Sequence, residues 1–341
     1  MKAIIHNPYW NSWGGGERYV SQFCKKLVGD GWDVDVDWVE DLSVGAAKRF
    51  GISLAGVKFV SDYNSINYDL AFWVSDGSLP LLFAKKNIIH LQFPFINVNG
   101  RSWSNVIKSK FGEFVVNSQF TKRFIDREYG VNSQVLYPPI DVEMFQPLKK
   151  ENIILYVGRF SRLTQQKGQE ILIDNFKKLK SDWRLILAGG AGVGADNAWL
   201  VELEKKASKN KVEIIKNPSV EELVKLYGKA KIFWSACGYG VDENINPLSV
   251  EHFGITVVEA MAAGCVPIIT NLGGHKEIVN NGRDGFLWNT TKELLETTQT
   301  LIKKADKLYA LSQKAREKSK MFSVDNFYEK IDALVVGRFG F

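Results

Sequence analysis

The sequence predicts an α/β fold built from two doubly wound domains. Its 341 residues suit two domains better than one. The second half alternates apolar strands with amphipathic helices, which is typical of a parallel sheet covered by helices on both faces. Prolines followed by charges over Pro138–Lys150 mark a linker. We therefore predict a first domain over residues 1–147 and a second over residues 148–322.

The first domain opens with a short apolar strand, Lys2–His6, and a glycine-rich loop, Asn11–Gly16. A helix follows, with one apolar face made by Val20, Phe23, Cys24 and Leu27. Strand, glycine loop and helix in this order make a geometry that binds anions. Further strands are expected over residues 69–74, 87–91 and 114–117, and a helix from about residue 118 to residue 129.

Three aspartates alternate with valines in the segment Trp32–Val39. The period of two predicts a strand with the aspartates on a solvated face. An Asp-x-Asp pattern also occurs in some metal-dependent glycosyltransferases, but the strand explains the spacing without a metal ion. We therefore expect no metal site.

The second domain repeats strand and helix several times. Strands are expected over residues 153–157, 184–188, 212–215, 232–235 and 266–270, and helices over residues 168–179, 198–208, 220–228 and 254–263. The chain ends in helices, from 291 to about 320 with breaks and from 325 to about 336.

Composition bounds the surroundings of the protein. Three cysteines have no metal-ligand spacing and make an odd count, which indicates a reducing compartment. The sequence starts directly with a strand, so we expect no signal peptide, and no apolar run is long enough to span a bilayer. These observations predict a cytoplasmic protein.

The region 81–123 is basic, with seven lysines and arginines against the single acid Glu113 and with aromatic residues between them. Such a surface suits anionic lipid head groups, which would make the protein peripheral at the cytoplasmic membrane face. A solvated face with ordinary core aromatics explains the pattern equally well. A non-catalytic basic module that binds membranes or nucleic acid is a further alternative, although the net charge of +6 does not by itself indicate nucleic acid.

The most informative stretch is Ser249–Thr270. Its predicted helix, 254–263, is apolar or small all round except for Glu259, so the helix is buried and its carboxylate needs a partner. Glu251 precedes the helix, and the N–H groups near Phe253, Gly254 and Ile255 form an anion site at its start. One phosphate site and two carboxylates for hydroxyl groups suit a nucleotide sugar.

The segment from Glu251 to Glu259, EHFGITVVE, resembles the carboxylate pair of family-4 retaining glycosyltransferases with the GT-B fold. The segment Glu-His-Phe-Gly-Ile resembles the corresponding segment in the mannosyltransferase branch of that family. The resemblance implies two doubly wound, Rossmann-like domains facing across a cleft. It also implies that the final helix, about 323–341, packs back on the first, acceptor-side domain, while the second domain binds the donor.

The resemblance also implies a role for each candidate site residue. Glu259 would bind ribose hydroxyls and Glu251 the hexose, while Arg159 and Lys167 would neutralise the departing diphosphate. The phosphates would contact the amides of Phe253, Gly254 and Ile255 and the Thr256 hydroxyl. Gly15 and Gly16 would lie beside the donor diphosphate and the acceptor, and His90 would lie near the sugar and the acceptor as a catalytic residue.

The implied reaction retains anomeric configuration and uses neither a metal ion nor a cofactor. GDP-mannose is our first choice of donor, from the Glu-His-Phe-Gly-Ile wording, with a donor of the UDP-glucose or UDP-GlcNAc type as the alternative. The acceptor would be a glycan or a lipid-linked glycan.

A glycine run supplies one competing interpretation. Gly190, Gly192 and Ala195 match the dinucleotide fingerprint, and Glu213 lies near the expected ribose position. However, that fingerprint belongs at the first strand of its domain, and here another strand–helix unit precedes it. An NAD-dependent oxidoreductase therefore stays an alternative.

Overall fold

The computed structural model describes residues 1–61, 64–161, 165, 167–191, 197–208 and 211–336. The chain forms two compact units. The first contains residues 1–139 together with the C-terminal segment from Val324, and the second contains Ile140–Ser323. Among the described residues, no helix is both long enough and apolar enough to cross a bilayer.

The first unit contains a sheet of parallel strands in the order β3-β2-β1-β4-β5-β6-β7. The strands are β1 (Lys2–His6), β2 (Asp33–Asp37), β3 (Val57–Val60), β4 (Leu70–Val74), β5 (Lys86–Leu91), β6 (Glu113–Val116) and β7 (Gln134–Val135). The helices between them are α1 (Gly15–Gly29), α2 (Ser43–Phe50), α3 (Trp103–Lys108) and α4 (Gln119–Tyr129).

The aspartates of β2 do not share a solvated face as the sequence predicted. Asp35 is buried and accepts a hydrogen bond of 2.7 Å from the Tyr68 hydroxyl, and Lys2 lies 3.1 Å away. Asp37 lies 2.6 Å from His6 Nδ1 on the neighbouring strand. The prediction was wrong because cross-strand partners compensate these carboxylates, and local spacing does not record such partners.

The second unit contains a parallel sheet in the order β10-β9-β8-β11-β12-β13. Its strands are β8 (Ile153–Val157), β9 (Arg184–Gly189), β10 (Val212–Lys216), β11 (Ile232–Ser235), β12 (Val266–Thr270) and β13 (Phe286–Trp288). Its helices are α5 (Gln169–Lys178), α6 (Asn197–Ala207), α7 (Val220–Lys229), α8 (Ile255–Ala262), α9 (His275–Ile278), α10 (Thr291–Lys303) and α11 (Ala305–Ser319). Strands β8, β11 and β12 are buried along their whole length, as expected of a sheet covered on both faces.

The last helix, α12 (Val324–Val336), belongs to the first unit. Its buried residues Phe327, Ile331 and Leu334 join the core that α1 and β1 also form. The Tyr328 hydroxyl donates a 2.9 Å hydrogen bond to the side chain of Gln22 on α1. The spacing of these three residues, four and then three positions apart, puts them on one face of the helix.

The division between the units at Pro139 and Ile140 precedes the predicted boundary at residue 147. The segment in between packs on the second unit. Phe145 makes an edge contact with Tyr227 at a centroid distance of 5.3 Å, and the Leu148 N–H donates to the Gly228 carbonyl at 3.0 Å. Proline and charge signals locate a linker, but packing decides which unit holds its residues.

The glycine at the end of β9 has a packing reason. A Cβ atom on Gly189 would lie 1.9 Å from the Gly158 carbonyl oxygen, so only glycine allows the ends of β8 and β9 to approach this closely. Of the dinucleotide pattern, Gly192 and Ala195 lie outside the described residues. The close approach of the β8 and β9 backbones accounts for Gly189, which is the first glycine of the segment 189–195.

We expect Gly189→Ala to destabilise the second unit by about 2 kcal/mol or more, because the added methyl group meets backbone that has no room to move. Gly29→Ala is the matched control, since nothing lies within 4 Å of its added Cβ. Alanine at this helical position should be neutral or stabilising by up to about 1 kcal/mol. Chemical denaturation measures both, and equal free energies of unfolding would contradict the packing argument.

Candidate active site

The helix α8 carries a buried carboxylate. Glu259 is only 7% exposed, and the hydroxyl of the fully buried Tyr227 donates a 2.9 Å hydrogen bond to its Oε2 atom. The helix begins after Gly254, whose φ is 121°. Any residue other than glycine would be strained at this φ. The structure thus places Glu259 inside the unit, with Gly254, Ile255 and Thr256 at the turn where the first amides of the helix lack intrahelical acceptors.

A partly buried ion pair lies at the entrance to this helix. Lys167 Nζ is 2.8 Å from Glu251 Oε2, and the two side chains are 15% and 18% exposed. Burial raises the pKa of the Glu251 carboxyl, but the charge and hydrogen bond of Lys167, together with His275 and His252, outweigh burial and lower that pKa to about 2. Burial likewise disfavours the ammonium, yet the Glu251 carboxylate raises the pKa of Lys167. Both groups are therefore charged at neutral pH.

The loop between β8 and α5 positions the two predicted cations. Gly168 has a φ of 67°, and a Cβ there would lie 2.7 Å from the Ala236 carbonyl oxygen, so Lys167 is drawn close to the end of β11. The buried Gln169 donates a 3.0 Å hydrogen bond to the Arg159 carbonyl. The Arg159 side chain is exposed. Its positive charge lies close enough to Lys167 to oppose the rise in the pKa of Lys167 in part, without reversing it. Arg162 and Gln166, which the sequence placed in this loop, lie outside the described residues.

A glycine turn after β12 fits against the backbone around Glu251. A Cβ on Gly273 would lie 2.1 Å from the Glu251 carbonyl oxygen, and one on Gly274 would lie 2.5 Å from the His252 carbonyl oxygen. The Gly274 N–H donates a 2.7 Å hydrogen bond to the Glu251 carbonyl. This contact fixes the backbone that carries the ion pair.

Glu243 is a site-supporting residue that the sequence reasoning missed. It is buried, accepts a 2.7 Å hydrogen bond from the Gly273 N–H and forms a 2.6 Å ion pair with Lys276. It thereby holds the polar loop 237–250 on the glycine turn. An isolated acid in a polar loop gives no pattern from which this contact could have been found.

His275 was also missed as part of this surrounding. It is fully buried, and its Nδ1 atom lies 3.0 Å from the Thr270 hydroxyl. Burial lowers its pKa to about 4 despite the opposing charge of Glu251, and burial does the same to His252. Two neutral imidazoles therefore lie close to Glu251 at pH 7.

In the first unit, Gly15 and Gly16 begin α1 directly after the loop that follows β1. The Glu17 carboxylate caps this helix by accepting hydrogen bonds from the Gly14 N–H at 2.7 Å and from the Ser12 hydroxyl. Gly16 lies against the side chain of Gln92, because a Cβ on Gly16 would be 2.2 Å from Gln92 Oε1. Gln92 directly follows the predicted strand 87–91, and the sequence analysis did not identify it as a site residue.

His90 lies in the core rather than on a ligand-binding surface. Its ring is fully buried, stacks on Tyr19 at a centroid distance of 4.4 Å, and contacts Phe72 at 5.4 Å. Its Nδ1 atom lies 3.1 Å from the Val115 carbonyl, and burial lowers its pKa to about 3. The predicted contact of His90 with the substrate stays a prediction, and this enclosure argues against it.

Comparison with known proteins identifies the family. Residues 140–318, more than half of the chain, match the family model described as glycosyl transferases group 1. The chain belongs to this family. This match makes the chain a member of a glycosyltransferase family, and the recognition from the Glu251–Glu259 segment is confirmed.

Solved structures give the fold of this glycosyltransferase. A glycosyltransferase from Rickettsia africae superposes with a TM-score of 0.78 over 98% of each chain at 19% identity. Alr3699/HepE of Anabaena, solved in complex with UDP and glucose, gives a TM-score of 0.74 over 99% of this chain and 100% of its own at 18% identity. The predicted GT-B fold is confirmed.

One curated relative is a GDP-Man:Man(3)GlcNAc(2)-PP-Dol alpha-1,2-mannosyltransferase from Dictyostelium discoideum. It is 28% identical over 245 residues, which cover 65% of this glycosyltransferase and 46% of the relative. The match thus spans about half the length of that relative. Mannosyltransferases are therefore among the relatives, as the Glu-His-Phe-Gly-Ile wording predicted.

The ion pair predicts how stability depends on pH. Because the pKa of Glu251 is lowered from 4.5 to about 2, its contribution is complete above pH 4.5 and is lost as the pH falls toward 2. When the pH is lowered from 4.5 to 2, the free energy of unfolding of the Glu251→Gln variant should therefore decrease less than that of the wild type. Denaturant titrations at several pH values measure the difference in slope. Parallel curves for the two proteins would contradict a lowered pKa at this position.

Proposed function

We propose that this glycosyltransferase moves a hexose from a nucleotide-sugar donor to a glycan or lipid-linked acceptor, with retention of anomeric configuration. The observation that carries the proposal is the partly buried Lys167–Glu251 ion pair at the entrance to α8. A charged pair is costly to bury, and it is well suited to a ligand that brings both hydroxyl groups and negative charge. The bottom of the site is the Glu259 carboxylate, held by Tyr227.

Each charged group has a part in binding the donor. Glu259 accepts hydrogen bonds from the ribose hydroxyls, and Glu251 accepts them from hydroxyls of the hexose. The diphosphate lies at the start of α8, against the amides of Phe253, Gly254 and Ile255 and the Thr256 hydroxyl, where the helix dipole favours an anion.

Lys167 can serve both the carboxylate and the diphosphate. Its ammonium has three N–H donors, and one of them is directed at Glu251 in this structure. The remaining donors, together with the exposed guanidinium of Arg159, stabilise the charge that grows on the leaving diphosphate. Because the loop carrying both cations is fixed by Gly168 and Gln169, the charges are in place before the reaction begins.

The reaction that fits these groups is attack from the front face of the sugar. The leaving phosphate oxygen takes the proton of the acceptor hydroxyl as the new glycosidic bond forms and the bond to the phosphate breaks. Such a route needs stabilisation of the leaving group and no separate base, so the burial of His90 removes nothing essential. We also propose that no metal ion or cofactor takes part, and EDTA should leave turnover unchanged.

GDP-mannose is the donor we propose. It is supported by the Glu-His-Phe-Gly-Ile segment and by the mannosyltransferase relative from Dictyostelium discoideum. A UDP-linked glucose or N-acetylglucosamine donor is the alternative, favoured by the complex of the Anabaena protein with UDP and glucose. The fold and the carboxylate pair serve either nucleotide.

We propose a lipid-linked acceptor and a place of action at the cytoplasmic face of a membrane, through the basic and aromatic region 81–123. The relative's name includes a carrier, PP-Dol, which supports a lipid-linked acceptor class. The three cysteines are free and buried, as suits a reducing compartment.

We expect Glu251→Gln and Lys167→Met each to lower turnover by about 10²-fold or more, since one lost transition-state contact is typically worth that much. The matched control is Lys206→Met, which breaks a half-exposed ion pair with Asp174 on the same unit. Initial rates of sugar transfer or donor hydrolysis provide the measurement. Unchanged rates in either site variant would exclude that residue from the proposed role.

The two carboxylates should also separate by ligand. A nucleoside diphosphate contains the ribose but no hexose, so Glu259→Gln should weaken GDP or UDP binding while Glu251→Ala leaves it nearly unchanged. Thermal-shift titrations with GDP, UDP and ADP would measure this and identify the base, because ligand at a hundred times its Kd stabilises by roughly 2.7 kcal/mol. Equal losses in both variants would mean that the roles are assigned wrongly.

A further inference from the structure

An apolar surface is exposed on the first unit. Six large apolar side chains lie in solvent within residues 81–111: Leu81, Phe83, Trp103, Val106, Ile107 and Phe111. Trp103 is 80% exposed, and the helix that it begins, α3, buries none of its residues. Leaving this much aromatic and aliphatic surface in water is unfavourable, so the surface is expected to have an occupant.

Three hydrogen bonds join the parts of this surface into one face. The side-chain amide of Asn87 donates to the Ala84 carbonyl at 3.1 Å and to the Phe111 carbonyl at 3.0 Å, so the chain next to Phe83 adjoins Phe111. Lys108 Nζ donates a 2.8 Å hydrogen bond to the Leu79 carbonyl, which ties the end of α3 to the segment before Leu81. We name these six apolar residues the apolar face.

The charged residues within the segment that carries the apolar face are all basic. No acidic residue occurs from Leu81 to Gly112. Arg101 and Lys110 are exposed beside the apolar residues, and Lys85 is 72% exposed. The neighbouring carboxylates each have a partner. Asp69 pairs with Lys85, Glu113 pairs with Lys86, and Glu128 accepts three backbone N–H groups. The exposed Asp76, which lies near Lys108, accepts hydrogen bonds from the N–H and the hydroxyl of Ser78.

We propose that the apolar face docks on a lipid bilayer that contains anionic lipids. Tryptophan and phenylalanine suit the boundary between head groups and acyl chains, and exposed arginine and lysine beside them suit anionic head groups. A helix of six residues can lie in the interface but cannot span the bilayer. The inference deepens the proposed function, on which it rests for the lipid-linked acceptor, and it identifies the surface that meets the membrane.

A protein partner or a second copy of the chain fits the observations less well. A protein interface would ordinarily place acidic residues opposite the cations. In a symmetric dimer the same face would lie on both sides of the interface, and its segment contains no acidic residue that could pair with the cations of the other copy. A nucleic acid would use the cations but would leave the aliphatic residues unexplained.

Flotation of the full chain with vesicles tests the proposal. We expect binding to phosphatidylcholine vesicles that contain phosphatidylglycerol, weaker binding to phosphatidylcholine alone, and a decrease in binding as salt is raised. Trp103→Ser combined with Phe111→Ser should lower the partition coefficient by about tenfold or more, because apolar burial is lost. Arg101→Glu combined with Lys110→Glu should lower it by about tenfold or more and flatten the salt dependence.

Matched controls come from the second unit. Tyr309 is 69% exposed and the Lys292 side chain is 82% exposed, and neither belongs to the apolar face. Tyr309→Ser and Lys292→Glu should therefore leave vesicle binding unchanged. Equal losses in the controls and in the apolar-face variants would overturn the proposal.

The absence of binding to either vesicle, or binding that the Trp103 and Phe111 changes leave intact, would also overturn it. A change of oligomeric mass in those variants, without an effect on vesicles, would overturn it in favour of a second copy as the occupant. Thermal shifts with GDP and UDP, run on the same proteins, separate this test from the transferase proposal. Vesicle binding without any nucleotide shift would contradict the proposed donor and leave the docking surface standing.

Discussion

The candidate site depends on one ion pair that is largely shielded from water, between Lys167 and Glu251. Removing two such charges from water costs several kcal/mol per ion, roughly, and their attraction regains this only with good geometry. A pair of this kind is therefore weak evidence for stability and better evidence for function. Here the 2.8 Å contact joins the loop after β8 to the start of α8. The proposed function requires the cation of the first segment and the carboxylate of the second to act on the same donor.

Backbone contacts that only glycine permits hold this pair in place. Gly168 brings Lys167 against the end of β11, and Gly273 and Gly274 lie directly on the carbonyls of residues 251 and 252. Close contact between backbones leaves little freedom for adjustment, so the charges are fixed by the fold rather than by their own flexible side chains. Preorganised charge is what stabilises a leaving group most effectively, because nothing has to reorient during the reaction.

The sequence was sufficient for the features that local periodicity records. Alternating strands and helices predicted both sheets, and the apolar helix around Glu259 predicted that its carboxylate is buried. Short elements such as β7, with two residues, and α3, with six, gave too few residues for a period to appear. The partner of Glu259 was out of reach for another reason, because Tyr227 lies on a different helix and only the tertiary fold brings the two together.

His90 and Glu243 show two things that the sequence alone does not decide. A histidine at the end of a parallel strand points to a ligand crevice by position, but whether its ring turns toward that edge or into the core depends on packing with Tyr19 and Phe72. Glu243 lies in a loop without periodicity, so its bond to the glycine turn left no trace in the sequence. The two cases have a common cause. The sequence shows where a residue lies along a strand or loop, but contacts with residues distant in the sequence decide which way its side chain points. A reaction whose leaving group accepts the proton is compatible with this outcome, since it draws on the charges of the second unit and requires no imidazole in the first.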